Sequence, residues 1–196
     1  MGTNLTSKLN CLINILKDEN YFRLEHIANE VPFYIFDYDP EAELDVRKTI
    51  KIISDSDQLK YRIEVVNIYD FIISYLQEKD FLEKIFEMEQ KLSPEKFLTR
   101  LKSIIDPELI INKIVQLNDE KNPDVFILTG IGNSYPIIRI HQIINRLQEK
   151  VCNKVVIVMY PGTFDVNETE GKLILFNSLE SKAFYRAFKI CGGSLK

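Results

Sequence analysis

The chain has 196 residues and a formal net charge of −4, with 45% apolar and 28% charged residues. These values are typical of one soluble globular domain that can bury about 70% of its unfolded surface. The acidic balance provides no basic field to attract phosphate backbones, which argues against a dedicated nucleic-acid-binding protein.

The three cysteines, at positions 11, 152 and 191, are far apart in sequence, and only two histidines accompany them. This spacing fits neither a zinc site nor a disulfide framework, so we expect free thiols in a reducing compartment. The first residues do not form a secretory signal, and no stretch approaches the ~20 apolar residues of a membrane span. We therefore expect a cytoplasmic protein that does not contact a membrane.

The first half of the chain predicts two units in which a strand leads into a helix. Leucines and isoleucines at helical spacing predict a helix over residues 4–18. The aromatic run 33–36 predicts a strand, and Asp39 followed by a proline predicts an N-cap and a helix that continues to Ile53. Residues 61–68 predict the next strand, with a helix from residue 69.

The second half begins with helical patterns only. Residues 80–118 predict an insertion of two to three short helices, restarted at Ser-Pro and Asp-Pro pairs. Strands follow at 124–129 and 154–160, separated by a helix over 135–150. The second of these strands is expected to end at Pro161-Gly162, and two more strand candidates lie in the tail, before and after a break at 178–182.

Apolar strands that alternate with helices are typical of a mostly parallel sheet covered on both faces. The sequence therefore predicts a single three-layer α/β domain over residues 1–196, Rossmann-like or P-loop-like but without the P-loop. Within it we distinguish an N-terminal helical segment at 1–30, the helical insertion at 80–118 and a strand-rich tail at 165–196.

A glycine-containing loop follows the strand 124–129 and has two interpretations. Gly130 and Gly132 should lie at the carboxyl edge of the sheet, where such folds bind ligands. The third glycine of a dinucleotide fingerprint is replaced by Tyr135, and no lysine stands where a P-loop requires one. A tight strand-to-helix turn is the favoured interpretation, and a loop that binds an anion or small ligand is the alternative.

Arg139 and His141 lie just beyond this loop. On a helix, residues two positions apart point to different faces, so the two side chains should not form one clamp. Arg139 could reach an anion or a partner carboxylate. For His141, a core histidine bonded to the backbone is favoured over a catalytic or pH-sensing role.

Two aspartates, Asp37 and Asp39, follow the first strand at the spacing used by some phosphotransferases. The threonine or valine, the lysine and the later acidic pair of such enzymes do not follow, and Asp39 already has a capping role. A catalytic carboxylate pair is therefore the weaker interpretation. Together with Asp70 the two could surround a divalent cation, but the signal is too weak to predict a metal site.

Arg186 stands between aromatic residues in the tail, a pattern that can indicate base stacking. A strand with one arginine whose stem lies along an apolar surface is the favoured interpretation. Serine or cysteine nucleophile signatures are missing.

Several blocks of the sequence, in order, resemble the BrxB component of bacteriophage-exclusion (BREX) defence systems. They are FYIFDYDP, NIYD, LTGIGNSYPIIRIHQIINRL, MYPGTFD, and LFNSL with FYRAFKI. The resemblance spans roughly residues 20–190, and its most specific part is the central run, in which Gly130, Gly132, Tyr135, Arg139 and His141 match the family motif.

This resemblance implies a cytoplasmic accessory protein of phage defence, in an assembly that also contains a methyltransferase, a large ATPase and PglZ. It implies protein–protein interaction, with PglZ as the preferred partner, and brings no catalytic residue and no cofactor. Direct nucleic-acid binding is not expected outside the complex. The alternative functions are a nucleotide or small-anion sensor that uses the Gly130–Tyr135 loop, and, ranked last, a metal-dependent phosphohydrolase.

Overall fold

The computed structural model describes residues 2–22, 33–151, 154–166, 171–185 and 187–192. The helices described are α1 (Gly2–Lys17), α2 (Glu43–Ser54), α3 (Ile68–Glu78), α4 (Leu82–Lys91), α5 (Pro94–Ile104), α6 (Pro107–Lys121), α7 (Ile131–Ser134) and α8 (Ile140–Lys150), with a 3-10 turn at Pro40–Ala42 before α2. The strands are β1 (Phe33–Tyr38), β2 (Ile63–Asn67), β3 (Val125–Thr129), β4 (Val155–Val166), β5 (Gly171–Leu175), β6 (Leu179–Tyr185) and β7 (Phe188–Lys189).

The predicted fold class is confirmed: a mostly parallel sheet carries helices on both faces. Its order is β2-β3-β4-β1-β7, and all neighbours along this path are parallel. The antiparallel strands β5 and β6 extend from the end of β4. β4 is therefore the middle strand of this path, and β1 pairs with β4 on one side and with the edge strand β7 on the other.

Two apolar cores explain why β1, β3 and the first half of β4 are buried almost throughout. The alternate residues Phe33, Ile35 and Leu128 face one core, which α3 to α6 and α8 cover. Tyr34 and Ile127 face the other core, which α1 and α2 cover. Since both sides of β1, β3 and the first half of β4 meet apolar helix faces, their sequences show nearly continuous hydrophobicity instead of alternation.

The connections between successive parallel strands run in two opposite directions across the sheet. The connection through α2 crosses over β4 and β3 to reach the edge strand β2, and the chain then returns through β3 to β4. Right-handed crossovers in opposite directions place their helices on opposite faces of the sheet. The carboxyl ends of β1, β4 and β3 consequently border the switch point, where open α/β sheets bind their ligands.

β4 is longer than the sequence predicts. It does not end at Tyr160 but runs through Pro161 and Gly162 to Val166. Up to Pro161 it pairs with β1, and from Gly162 it pairs antiparallel with β5. Proline is tolerated there because the parallel pairing ends at that residue, and a side chain at Gly162 would collide with the carbonyl of Ile174 on β5.

α8 begins later than predicted. The Tyr135-Pro136 peptide is cis, and the regular helix begins only at Ile140, with Arg139 in an extended conformation before it. Gln142 accepts a hydrogen bond from the Arg139 amide at 3.1 Å, which closes the first turn. In the described residues, no helix is both long and apolar enough to cross a membrane.

The expectation of free thiols is wrong for two of the three cysteines. Cys11 on α1 and Cys191, just after β7, form a disulfide with their Cα atoms 5.8 Å apart. The sequence separation of 180 hid this pairing. The fold brings the two together because α1 covers β1 and β7 pairs with β1. Cys152 lies outside the described residues.

We expect the disulfide to stabilise the chain under oxidising conditions. Closing a loop of 180 residues corresponds to about 5 kcal/mol at most in the chain-entropy model. Urea unfolding with and without dithiothreitol should show a lower free energy of unfolding in the reduced sample, and Cys11→Ser should abolish the dependence. Equal curves for the oxidised and reduced wild-type chain would contradict this expectation.

Candidate functional site

The carboxyl edge of the sheet is organised around Asp37, the one charged residue in β1. Its side chain is only 7% exposed, and Oδ1 lies 2.7 Å from the Nζ of Lys8 on α1. Oδ2 lies 2.6 Å from the Nζ of Lys189 on β7 and accepts a hydrogen bond from the Phe164 amide at 3.1 Å. One carboxylate thus joins α1, β7 and the distal half of β4.

The two lysines are also bonded to the backbone. Lys8 donates to the carbonyl of Asp37 itself. Lys189 donates to the carbonyl of Phe164 at 3.0 Å. Burial alone would raise the pKa of Asp37, but the hydrogen bonds from Lys189, Lys8 and the Phe164 amide outweigh it and hold the pKa below its ordinary 3.8. Asp37 is therefore ionised at neutral pH, and its oxygens are occupied.

Asp37 and Asp39 do not form a pair. Asp39 is exposed and accepts a hydrogen bond from the Glu41 amide at 3.1 Å, which confirms the predicted cap. Asp70 is bonded to the side-chain amide of Asn67 at 2.6 Å. Nowhere in the described residues do three or more histidine, cysteine or acidic side chains cluster as a metal site would require. The three predicted aspartates thus serve three separate local structures.

The glycine loop lies at the carboxyl edge, as predicted, and is packed against the chain itself. Gly130 has φ +73°, and a Cβ there would collide with the side-chain oxygen of Asn67. A Cβ on Gly132 would lie 2.9 Å from the Phe176 ring and 3.1 Å from Pro161. Glycine is needed at both positions because other side chains approach the backbone closely, which supports the tight-turn interpretation.

A second series of hydrogen-bonded polar side chains spans the switch point. Tyr38, at the end of β1, donates to Glu43, and the Glu43 carboxylate lies 2.7 Å from the guanidinium of Arg47 on α2. Arg47 also donates to the side chain of Asn133 in the glycine loop at 2.7 Å. Burial and the Glu43 carboxylate raise the pKa of Tyr38 far above its ordinary value. The polar groups on the two sides of the crevice therefore bond each other.

An open cleft remains beside this filled crevice. It has a volume of about 520 Å³ and lies between the segment 131–141 and the β5–β6 hairpin. Tyr135, Arg139 and His141 all line it. The sequence placed Arg139 and His141 on different faces of one helix. That prediction is wrong because Arg139 precedes the helix in extended backbone, so both side chains reach the same cleft.

His141 is half-buried and borders the cleft, whereas a core position was favoured. Burial, and next the positive charge of Arg139, lower the pKa of His141 below 6.5, so the ring is neutral at pH 7. The Arg139 side chain is exposed and forms no ion pair with a carboxylate of the described residues. Arg186 lies outside the described residues.

Sequence reasoning missed both lysines that bind Asp37. A signal for Lys8 exists: it stands three residues before Cys11 and four before Leu12, on the apolar face of α1. A lysine on such a face either extends its ammonium group to water or binds a buried anion. Lys189 carries no comparable signal because β7 has only two residues.

We expect Asp37→Asn to destabilise the chain by about 2–3 kcal/mol, because it leaves two half-buried lysines, 17% and 25% exposed, without their counter-charge. Urea unfolding at pH 7 measures this loss. Asp39→Asn is the matched control: it is exposed, asparagine also caps helices, and the expected change is about 0.5 kcal/mol or less. A similar small change for both variants would contradict the structural role of Asp37.

The pH dependence has a defined sign. Since the folded pKa of Asp37 lies below 3.8, its stabilisation is fully present above that pH and is lost as the pH falls through the folded value. The difference in unfolding free energy between wild type and Asp37→Asn should therefore be constant from about pH 5 to 7 and shrink below about pH 3.8. A difference that grows on acidification would contradict the assignment.

Comparison with known proteins agrees with the resemblance of the sequence blocks. The family model described as BREX protein BrxB matches residues 64–190. A BREX protein BrxB of Bacillus cereus (strain H3081.97) is 31% identical over 190 residues, covering 95% of this chain and 97% of the relative. One of Escherichia coli O9:H4 (strain HS) is 26% identical over 186 residues, covering 95% and 91%. No solved structure matches the chain significantly. The chain belongs to the BrxB family of BREX proteins.

Proposed function

We propose that this chain is a non-catalytic, cytoplasmic component of a BREX phage-defence assembly and acts by binding other BREX proteins, with PglZ as the preferred partner. Family membership supports a place among BREX proteins. The preference for PglZ, a member of the phosphatase superfamily, comes from the resemblance of the sequence blocks.

The observation that carries the non-catalytic part is how the chemically capable residues are used. Both oxygens of Asp37 are bound by lysines, Asp39 caps a turn, and Asp70 is held by Asn67. General acid–base or nucleophilic catalysis needs a group that can reach a substrate. These carboxylates are engaged in holding the fold together.

The nucleotide-sensor alternative loses support on the same grounds. Phosphate cradles require backbone that a phosphate can approach closely. Phe176 and Pro161 lie against Gly132, and the Asn67 side chain lies against Gly130. A triphosphate would have to displace these contacts before it could reach the loop.

The surface next to the glycine loop favours protein binding. Exposed apolar side chains at the β5–β6 turn, Phe176 and Leu179, are 40% and 41% exposed. Leu179 lines the cleft bordered by Arg139, and Phe176 follows Leu175, which also lines it. Apolar side chains, with arginine among them, are the composition found at the centres of protein interfaces.

Co-purification tests the proposal. A tagged copy expressed at native level in cells that carry a complete BREX system should recover PglZ, whereas cells with the untagged chain should not. We expect an interface of roughly 1,000 Å² or more, sufficient for recovery under mild washing. Recovery of no other BREX protein would contradict the proposal. Magnesium- or manganese-dependent phosphoester turnover by the purified chain, lost in Asp39→Asn, would contradict its non-catalytic part.

A further inference from the structure

The cleft between the segment 131–141 and the β5–β6 hairpin has a floor that is continuous with the core. Ile138, Tyr160 and Leu173 line it and are 2%, 3% and 0% exposed. A void of about 520 Å³ with such a floor has room for one or two large side chains. Its apolar surface favours an apolar occupant.

One charge on the rim of the cleft has no partner in the described residues. Glu180, across from Arg139, is neutralised by Lys172, whose Nζ lies 2.7 Å from its carboxylate. His141 is neutral at pH 7. Arg139 therefore gives the rim a net positive charge, and an anionic group of the occupant would complement it. A guanidinium suits a carboxylate, which it can bind with two parallel hydrogen bonds.

From this geometry we infer that the cleft is the docking site for a segment of the partner protein that places a large apolar side chain on the Ile138–Leu173 floor and an adjacent Asp or Glu carboxylate on Arg139. This inference rests on the proposed function, since it names the site through which the chain binds its partner.

Two observations favour a protein segment over a small molecule. Leu179 lines the cleft, and Phe176 at the β5–β6 turn is outside the lining and 40% exposed. A small ligand confined to the cleft would leave Phe176 exposed, whereas a polypeptide that crosses the β5–β6 turn covers both side chains as it enters the cleft. The packed glycine loop also offers a phosphate-bearing ligand no open cradle.

Two variants test the site, each with a matched control. Arg139→Glu reverses the unpaired charge, and Arg100→Glu makes the same change at an exposed arginine of α5. Leu179→Asp disrupts the apolar rim, and Leu44→Asp makes the same change at a leucine of α2 that is 69% exposed. Circular dichroism and thermal melting serve as controls that each of the four variants keeps the fold.

Binding of purified PglZ is measured by biolayer interferometry. We expect each cleft variant to weaken binding roughly tenfold or more, and each control to change it by less than about threefold. Raising the salt concentration should weaken the wild-type interaction more than that of Arg139→Ala, because only the former retains the charge pair. If the wild-type chain binds PglZ and the folded cleft variants bind it equally tightly, the proposed docking site is wrong while the proposed function stands.

A photo-crosslink identifies the occupant. Leu179→p-benzoylphenylalanine should crosslink PglZ, with Leu44→p-benzoylphenylalanine as the control, and the crosslinked peptide should carry an Asp or Glu within a few residues of a large apolar side chain. A crosslink to a second copy of this chain, or a peptide without an acidic residue, would overturn the inference. If the wild-type chain binds no BREX protein at all, the proposed function fails and the inference falls with it.

Discussion

A buried carboxylate needs compensating positive charge and hydrogen bonds, and this requirement at Asp37 organises the carboxyl edge of the sheet. Desolvation of an unpaired ion costs several kcal/mol. The chain meets that cost with two lysines and one amide, drawn from α1, β7 and the distal half of β4. Elements far apart in sequence are thereby held together by one carboxylate. The Cys11–Cys191 disulfide also links α1 to the end of β7.

The consequence is an α/β scaffold whose usual ligand crevice is filled by its own chain. β4 continues past the sheet edge, its Phe164 amide is bound by Asp37, and the β5–β6 turn brings Phe176 against Gly132. Open surface remains in the neighbouring cleft, where Arg139 borders an apolar floor. A fold of this type is compatible with many functions, so function has to be inferred from how these side chains are used and from the family relationship.

Local signals in the sequence predicted much of the fold. Asp39 before a proline gave the cap, and apolar strands between helical patterns gave the parallel sheet. The predictions were wrong where contacts between distant parts of the chain determine the local structure. Pro161-Gly162 predicts a strand end, yet β5 pairs with the chain beyond it and extends β4. The predicted helix start near Pro136 was wrong because the regular helix begins only at Ile140, and the extended backbone at Arg139 brings its side chain into the cleft with His141. Lys189 and the disulfide depend on β7 pairing with β1, a contact without a local signal.

Amide hydrogen exchange at Phe164 is the most direct measurement of the bond between β4 and Asp37. If the carboxylate holds the distal half of β4 over the sheet edge, this amide is protected in the wild-type chain and exchanges much faster in Asp37→Asn. Amides of the interior strand β3 keep their protection under conditions in which the variant remains folded. A Phe164 amide that exchanges in the wild type as fast as those of exposed turns would contradict the account.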